Sequence, residues 1–160
     1  MTIQVGEKIP DVTLKIMKDG KMQDLSTSEL CSGKRVVLFA VPGAFTPTCS
    51  EQHLPGFIAK AAAIKAKGVD TIACLSVNDA FVMDAWGKDR GAGDKVLMVA
   101  DGNGDLAKAL GLDFDGSGIG FGIRSHRYAA VFEDGVAKVV AVDAPMKFEV
   151  SSAEKILEQL

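Results

Sequence analysis

Residues 36–51 read VVLFAVPGAFTPTCSE and change from an apolar run to a Pro/Gly loop and then to a helix start. The run Val36–Val41 is continuously apolar, which is typical of a strand buried on both faces of a sheet. The helix is predicted over Ser50–Lys67, with an interruption near Pro55 and an end at Gly68, because proline breaks helices and glycine ends them. The stretch therefore predicts a strand, a loop and a helix in immediate succession.

The same alternation of strands and helices continues on both sides of this stretch. Late in the chain, two strand-like runs meet at Asp134-Gly135, which is a hairpin turn signal, as is Asp19-Gly20 near the start. We therefore predict an α/β fold with a mixed central sheet flanked by helices. The remaining strands are predicted at Val12–Met17, Val69–Val77, Val96–Ala100, Arg127–Glu133 and Val136–Asp143. The remaining helices are predicted at the capping box Ser26-x-x-Glu29, from Asn78 or Asp79 to about Arg90, at Asp105–Leu110, and from the capping box Ser151-x-x-Glu154 to Leu160.

The composition indicates one globular domain covering residues 1–160. Hydrophobic residues make up 48% and charged residues 24% of the chain, and no linker or repeat divides it. The net charge of -3 is spread without a basic cluster, which argues against nucleic acid as a partner. No signal segment is evident and the apolar runs are strand-sized, so we expect no membrane partner and a cytoplasmic location.

Three cysteines, at positions 31, 49 and 74, are expected to be free thiols. Cytosolic thiols are kept reduced, and an odd number of cysteines without a C-x-x-C pair argues against a zinc site or a disulfide scaffold. No metal is therefore expected.

Cys49 is the cysteine with the most reactive predicted position. Thr46 and Pro47 form a good N-cap and N1 pair, while Thr48 and Glu51 form a competing capping box. Either start places Cys49 in the first helical turn, where free N–H groups and the positive end of the helix dipole favour a nucleophilic thiolate. The alternative is an ordinary buried core cysteine.

The spaced motif Pro42-x-x-x-Thr46-x-x-Cys49 resembles the active-site motif of the peroxiredoxins. The longer string VPGAFTPTCS, then HLPGF, SVNDAFVMDAW, DGNG and GIRSHRYAAVFEDG, is similar to the type II (atypical, fifth-class) subgroup over nearly the whole chain. This resemblance implies a thioredoxin-like fold, a homodimer with the Pro42–Cys49 loop near its interface, and reduction of hydrogen peroxide and organic hydroperoxides without a cofactor.

The resemblance also implies roles for individual residues. Cys49 corresponds to the peroxidatic cysteine, Thr46 to the hydroxyl that contacts the thiolate and the peroxide, and Pro42 to the shielding proline. Arg127 corresponds to the active-site arginine, with Arg124 as a competitor nearby in the sequence. An arginine there can stabilise a thiolate and the negative charge that develops on the leaving oxygen.

The second thiol of the cycle is left with two interpretations. Cys74 lies in the strand-like run VDTIACLSV, as a core cysteine or as a candidate resolving thiol of the plant-like branch. Other type II members resolve with a cysteine near the last helix, but residues 149–153 here contain none. An external reductant, glutathione with glutaredoxin or thioredoxin, is therefore expected. Cys31 receives no role.

Other features point to weaker alternatives. His53 is one helical turn after Cys49 and could pair with it as in cysteine hydrolases, although a polar residue that hydrogen-bonds the loop is the preferred interpretation. His126 is expected on the strand face opposite to Arg127. Gly116–Gly122 lacks dinucleotide-binding spacing and is predicted to be a surface loop. The rival functions are a thiol–disulfide exchange protein and a redox sensor or holdase that uses Cys49 as a switch.

Overall fold

A seven-stranded sheet forms the centre of the molecule. The structure, a computed structural model, describes residues 1–160. The whole chain contains the strands β1 (Thr13–Lys18), β2 (Lys21–Ser26), β3 (Arg35–Ala40), β4 (Thr71–Ser76), β5 (Leu97–Ala100), β6 (Asp113–Asp115), β7 (Ile123–Ser125), β8 (Tyr128–Glu133) and β9 (Val136–Val142). The sheet runs β2-β1-β5-β4-β3-β8-β9, while β6 and β7 form a separate two-stranded ribbon. The predicted mixed sheet is confirmed.

The central strand β3 is buried on both faces, as its continuous apolar sequence predicts. It pairs in parallel with β4 and antiparallel with β8. Val37 and Phe39 point into one half of the core, while Val36 and Leu38 point into the other half. Because side chains alternate along a strand, an apolar run without a polar break lines both halves of the core at once.

Helices cover both faces of the sheet. Phe57 in the helix Leu54–Ala66 and Trp86 in the helix Ala80–Arg90 pack on the face that Phe39 lines. Leu30 in the helix Thr27–Cys31 packs on the opposite face with Leu38. None of the helices combines the length and the apolar character required to cross a bilayer. The helices are α1 (Thr27–Cys31), α2 (Leu54–Ala66), α3 (Ala80–Arg90), α4 (Asp105–Leu110) and α5 (Ala153–Leu157), with a π-helical turn at Cys49–His53 and a 3-10 turn at Ser117–Ile119.

Most helix boundaries follow the predicted capping residues, but those of the last helix do not. The capping box of Ser26 and Glu29 is formed, and Asp79, not Asn78, caps α3. The prediction that Ser151 caps the last helix is wrong, because Ser152 accepts the N–H of Lys155. The Ser151 hydroxyl donates to a carboxylate instead.

The ribbon of β6 and β7 is the main element that the sequence pattern does not predict. Each of its strands has three residues, too few to show an alternating pattern. The Gly116–Gly122 stretch connects the two strands and lies at the surface apart from Gly116, as predicted for this loop.

Candidate active site

The strand register brings the Cys49 loop and Arg127 to the same edge of the sheet. Ala40, at the end of β3, lies opposite Tyr128, at the beginning of the antiparallel strand β8. Residues that follow β3 therefore lie beside residues that precede β8. Arg127 directly precedes β8, so its side chain reaches Cys49 although 78 positions separate the two residues in the chain.

Cys49 is fully buried, and its sulfur faces positive charge. Nη2 of Arg127 donates a hydrogen bond to the Sγ atom over 3.3 Å. The helix begins at Pro47, so Cys49 lies in its first turn, as predicted. The positive end of the helix dipole and the first N–H groups are concentrated in this turn. A guanidinium and a helix start together provide the electropositive surroundings that a nucleophilic sulfur requires.

The helix starts at Pro47, as the Thr46 and Pro47 pair predicts, although the Thr46 side chain accepts no capping hydrogen bond. The competing capping box at Thr48 is not formed. Thr48 has helical backbone angles, φ −64° and ψ −38°, and its side chain makes no capping hydrogen bond. The Thr46 hydroxyl donates to the carbonyl of Gly43 over 2.7 Å. Since that carbonyl can only accept, the hydroxyl proton is committed to the loop, and the Thr46 oxygen keeps lone pairs with which to accept a hydrogen bond.

The predicted interruption of the helix takes the form of a widened turn before Pro55. The N–H of Leu54 donates to the carbonyl of Cys49, five residues earlier, and α2 then continues regularly through Pro55. Proline has no N–H to donate and its ring crowds the carbonyl four residues before it, here that of Glu51. A wider turn relieves this crowding, and such π turns occur frequently at functional sites.

His53 is fully buried and connects Arg127 to the C-terminal segment. Its Nδ1 lies 3.0 Å from Nη1 of Arg127, and its Nε2 lies 2.9 Å from the carbonyl oxygen of Ser151. A guanidinium only donates, so Nδ1 must accept and the imidazole proton is on Nε2, where it donates to Ser151. Burial, and secondly the charge of Arg127, lower the pKa of His53 to about 3, which keeps the ring neutral.

The geometry agrees with the preferred interpretation of His53 as a hydrogen-bonding residue. Its ring nitrogens contact Arg127 and Ser151, and neither bonds to the sulfur of Cys49. A Cys–His nucleophile pair of the kind found in cysteine hydrolases is therefore not formed.

The structure places Arg127, and not Arg124, at the thiol. Arg127 forms no ion pair with a carboxylate, so its charge is available to an anion beside Cys49. Arg124 donates from Nη1 to the carbonyl of Pro42 over 3.2 Å and from Nε to that of Phe121 over 3.0 Å. Arg124 thus fastens the active-site loop from outside, at the proline that the motif predicts to shield the site.

The loop between β3 and the helix is held by side-chain hydrogen bonds. Oδ1 of Asn78 accepts the N–H of Ala44 over 3.0 Å and the hydroxyl of Ser76 over 2.6 Å. Phe45 has a positive φ of 64° and is half exposed, with its ring 6.4 Å from that of Trp86. A left-handed conformation at a bulky residue costs on the order of 1–3 kcal/mol and persists only where its surroundings hold it.

Cys74 and Cys31 lie in the core, and all three cysteines are free. Cys74 lies in the middle of β4, opposite Phe39 on one side and Met98 on the other. Burial raises the pKa of the Cys74 thiol well above its ordinary value, and the nearby sulfur of Cys49 raises it further. Burial also raises the pKa of Cys31 to about 11. This is the position that the core interpretation of Cys74 requires, while its resolving role stays a prediction.

The remaining histidine, His126, forms no metal site. The ring of His126 packs against Phe114 at 5.2 Å between centroids. No group of three His, Cys, Asp or Glu side chains has the arrangement needed to hold a metal ion. The site residue that sequence reasoning misses is Ser151, because it contributes its backbone carbonyl, and a carbonyl is independent of residue type.

Comparisons with known proteins support the thioredoxin-like fold. The family model described as Redoxin matches residues 4–157. The chain is 53% identical over 164 residues to the chloroplastic peroxiredoxin-2E-2 of Oryza sativa subsp. japonica, covering 99% of this chain and 73% of that one. It is 48% identical over 159 residues to peroxiredoxin-2B of Arabidopsis thaliana, with 99% and 98% covered. Among solved structures, reduced Prx3 of Vibrio vulnificus in complex with H₂O₂ matches with a TM-score of 0.95 and 52% identity, covering 99% of each chain.

Proposed function

The chain belongs to the redoxin family as a type II peroxiredoxin, a thiol-dependent peroxidase, and on that premise we propose that Cys49 is the sulfur that attacks the peroxide. The observation that carries this proposal is the hydrogen bond from Arg127 to the buried Cys49 sulfur in the first turn of a helix. Neither of the other two cysteines has a cationic hydrogen-bond donor on its sulfur.

The proposed first step is a displacement at oxygen. The Cys49 thiolate attacks one oxygen of hydrogen peroxide or of an organic hydroperoxide, so that an S–O bond forms and the O–O bond breaks. The second oxygen leaves with the electron pair and takes up a proton as water or alcohol. Cys49 is oxidised to a sulfenic acid while the peroxide is reduced.

Arg127 and Thr46 are proposed to hold the two peroxide oxygens in line with the sulfur. The guanidinium stabilises the charge that develops on the leaving oxygen, and each such donor can contribute about 3 kcal/mol to the barrier. Thr46 donates to Gly43, so toward the substrate it acts as an acceptor for the peroxide O–H. Pro42 is proposed to shield the site from solvent.

We propose that an external thiol returns the sulfenic acid to the reduced state. Cys74 is fully buried and burial raises its pKa, so little thiolate is available there for an internal attack. The segment 149–153 carries no cysteine. Glutathione with glutaredoxin, or thioredoxin, is the class of reductant that we expect.

A homodimer with the Pro42–Cys49 loop near its interface is proposed as the assembly. Exposed large apolar side chains support this assembly: Phe45 is 52% exposed, Phe81 61% and Ile119 70%. Sedimentation equilibrium should give a dimer mass for the wild type and a monomer mass for Phe45→Glu. A monomeric wild type would contradict the dimer.

Peroxide consumption by the wild type, Cys49→Ser and Arg127→Ala tests the catalytic assignment. We expect no turnover without Cys49 and a loss of about 10²–10³-fold without Arg127, with Cys31→Ser as a control at wild-type rate. Unchanged turnover in Cys49→Ser would refute the assignment. Disulfide exchange without peroxide turnover, or oxidation of Cys49 no faster than that of a free thiol, would support the rival functions.

Mass spectrometry after one equivalent of peroxide tests the reductant. With glutathione present, a glutathione adduct on Cys49 is expected. A disulfide between Cys49 and Cys74 would instead support internal resolution.

A further inference from the structure

Hydrogen bonds connect Arg127 back to itself in a closed ring that passes through Asp143. Arg127 donates from Nη1 to Nδ1 of His53 over 3.0 Å, and Nε2 of His53 donates to the carbonyl of Ser151 over 2.9 Å. The Ser151 hydroxyl donates to Oδ2 of Asp143. The N–H of Asp143 donates to the carbonyl of Arg127 over 3.0 Å. The side chain and the backbone of Arg127 are thus tied to the same carboxylate-bearing residue.

The Asp143 carboxylate organises the chain that carries the Ser151 carbonyl. It is buried, 4% exposed, and its Oδ1 accepts the N–H groups of Glu149 over 2.8 Å and Val150 over 2.7 Å. Residues 143–152 contain no helix or strand, so no backbone ladder fixes this segment. Without the carboxylate, the N–H groups of Glu149 and Val150 and the hydroxyl of Ser151 lose their acceptor, and the Ser151 carbonyl loses its fixed position.

Phe148 in the same segment supports the same two side chains. Its ring lies 5.0 Å from that of His53, and the Arg127 guanidinium carbon lies 5.7 Å from the ring centroid. A shift of residues 143–152 therefore moves two groups together: the Ser151 carbonyl, which accepts from His53, and the Phe148 ring, which contacts Arg127.

We propose that Asp143 is a positioning residue for the peroxidase reaction, because it fixes the segment that holds His53 and thereby the guanidinium of Arg127 against Cys49. This inference rests on the proposed roles of Cys49 and Arg127. Asp143 acts through these residues and touches neither the sulfur nor the peroxide.

The charge of Asp143 would act in the opposite direction from its positioning effect. A carboxylate near the site disfavours a thiolate, so removing its charge alone would make Cys49 more readily ionised. Removing its hydrogen bonds loosens Arg127 and makes Cys49 less readily ionised. Asp143→Asn removes the charge but keeps an amide oxygen for the two N–H groups, and the Ser151 hydroxyl can turn to accept from the amide.

Two measurements on the full-length protein separate these effects: the rate constant of Cys49 oxidation by H₂O₂, and the pH midpoint of Cys49 alkylation by iodoacetamide. We expect Asp143→Ala to be oxidised about 10- to 100-fold more slowly, as for a misplaced catalytic group, with its alkylation midpoint moved to higher pH. Asp143→Asn should stay within about threefold of wild type, since its hydrogen bonds remain. In an Arg127→Ala background, Asp143→Ala should not slow oxidation further, because both substitutions disrupt the same interaction, that of the Arg127 guanidinium with Cys49.

Asp101→Ala is the matched control. Asp101 is also buried, 3% exposed, and accepts two backbone N–H groups, those of Leu106 and Ala107. The structure does not connect its side chain to Arg127. Both alanine variants should lower the unfolding temperature, but only Asp143→Ala should change the oxidation rate and the alkylation midpoint.

Each result decides between the inference and its alternatives. Equal rates in Asp143→Ala and Asp143→Asn, or a midpoint moved to lower pH, would overturn it in favour of a charge effect. If Asp143→Ala does not fold, Ser151→Ala replaces it, with an expected loss of about two- to tenfold for one hydrogen bond and refutation at wild-type rate. A wild type no faster than free cysteine would refute the proposed function itself, whereas slow Arg127→Ala beside fast Asp143→Ala would refute only the positioning role.

Discussion

The buried neutral imidazole of His53 makes the stability of the fold depend on pH. Burial, and then the charge of Arg127, lower the pKa of His53 from its ordinary value of 6.5 to about 3. The unfolded chain therefore binds a proton at His53 over a pH range in which the native state does not. The free energy of unfolding must fall as the pH is lowered from 6.5 towards 3.

The size of this effect follows from the two pKa values of His53. Between them, each pH unit below 6.5 removes about 1.4 kcal/mol, because only the unfolded state takes up the proton. At pH 5 the loss relative to pH 7.5 is then about 2 kcal/mol. Since pH 5 lies well above the native pKa, the full effect of each unit is still present there.

Urea denaturation of the wild type and of His53→Gln at pH 7.5 and pH 5 measures how much unfolding free energy His53 removes between these two pH values. Glutamine can donate to the Ser151 carbonyl and accept from Arg127, but it does not titrate. His53→Gln will be less stable at both pH values because it loses the packing of the ring against Phe39 and Phe57. Its loss of stability between the two pH values should be about 2 kcal/mol smaller than that of the wild type.

The comparison cancels the other titrating groups, because both proteins contain the same carboxylates and the same second histidine, His126. An equal loss of stability in wild type and His53→Gln would refute a neutral, proton-excluding His53. So would a wild-type NMR spectrum in which the His53 imidazole titrates near its ordinary value of 6.5.

Three further changes test separate parts of the site. Thr46→Val keeps the shape of the side chain but loses the hydroxyl, so it should slow Cys49 oxidation by about 10²-fold, as for other lost transition-state hydrogen bonds. Thr46→Ser keeps the hydroxyl and should stay within about tenfold of the wild-type rate. Equal rates for the two variants would contradict the role of the hydroxyl. In the wild type, the buried Ser50 hydroxyl accepts a hydrogen bond from the indole N–H of Trp86 over 2.8 Å. Trp86→Phe removes this donor. It should lower the free energy of unfolding by about 1–3 kcal/mol in urea titrations, whereas an unchanged value would show that this bond contributes nothing. Cys74→Ala should leave the rate of the first oxidation of Cys49 by H₂O₂ at the wild-type value in stopped-flow measurements, and a slower rate would assign Cys74 a part in the first step.

Strong local signals account for the elements that were predicted correctly. The apolar run of β3 predicted burial on both faces, and the start at Pro47 predicted Cys49 in the first helical turn. Such signals depend only on residues close together in the chain, so they can be recognised from the sequence alone. The capping box at Ser151 failed because the Ser151 hydroxyl donates to the carboxylate of Asp143, 8 positions earlier in the chain.

The sequence alone therefore determined the strand–loop–helix unit and the candidate nucleophile at Cys49, because these depend on local capping, proline geometry and hydrophobic pattern. Only the tertiary structure decided that Arg127 rather than Arg124 reaches the sulfur, and that His53 is a neutral link to Ser151. These contacts join residues 74 to 98 positions apart. They exist only after the antiparallel register of β3 and β8, and the fixed path of the segment after β9, have brought distant side chains together.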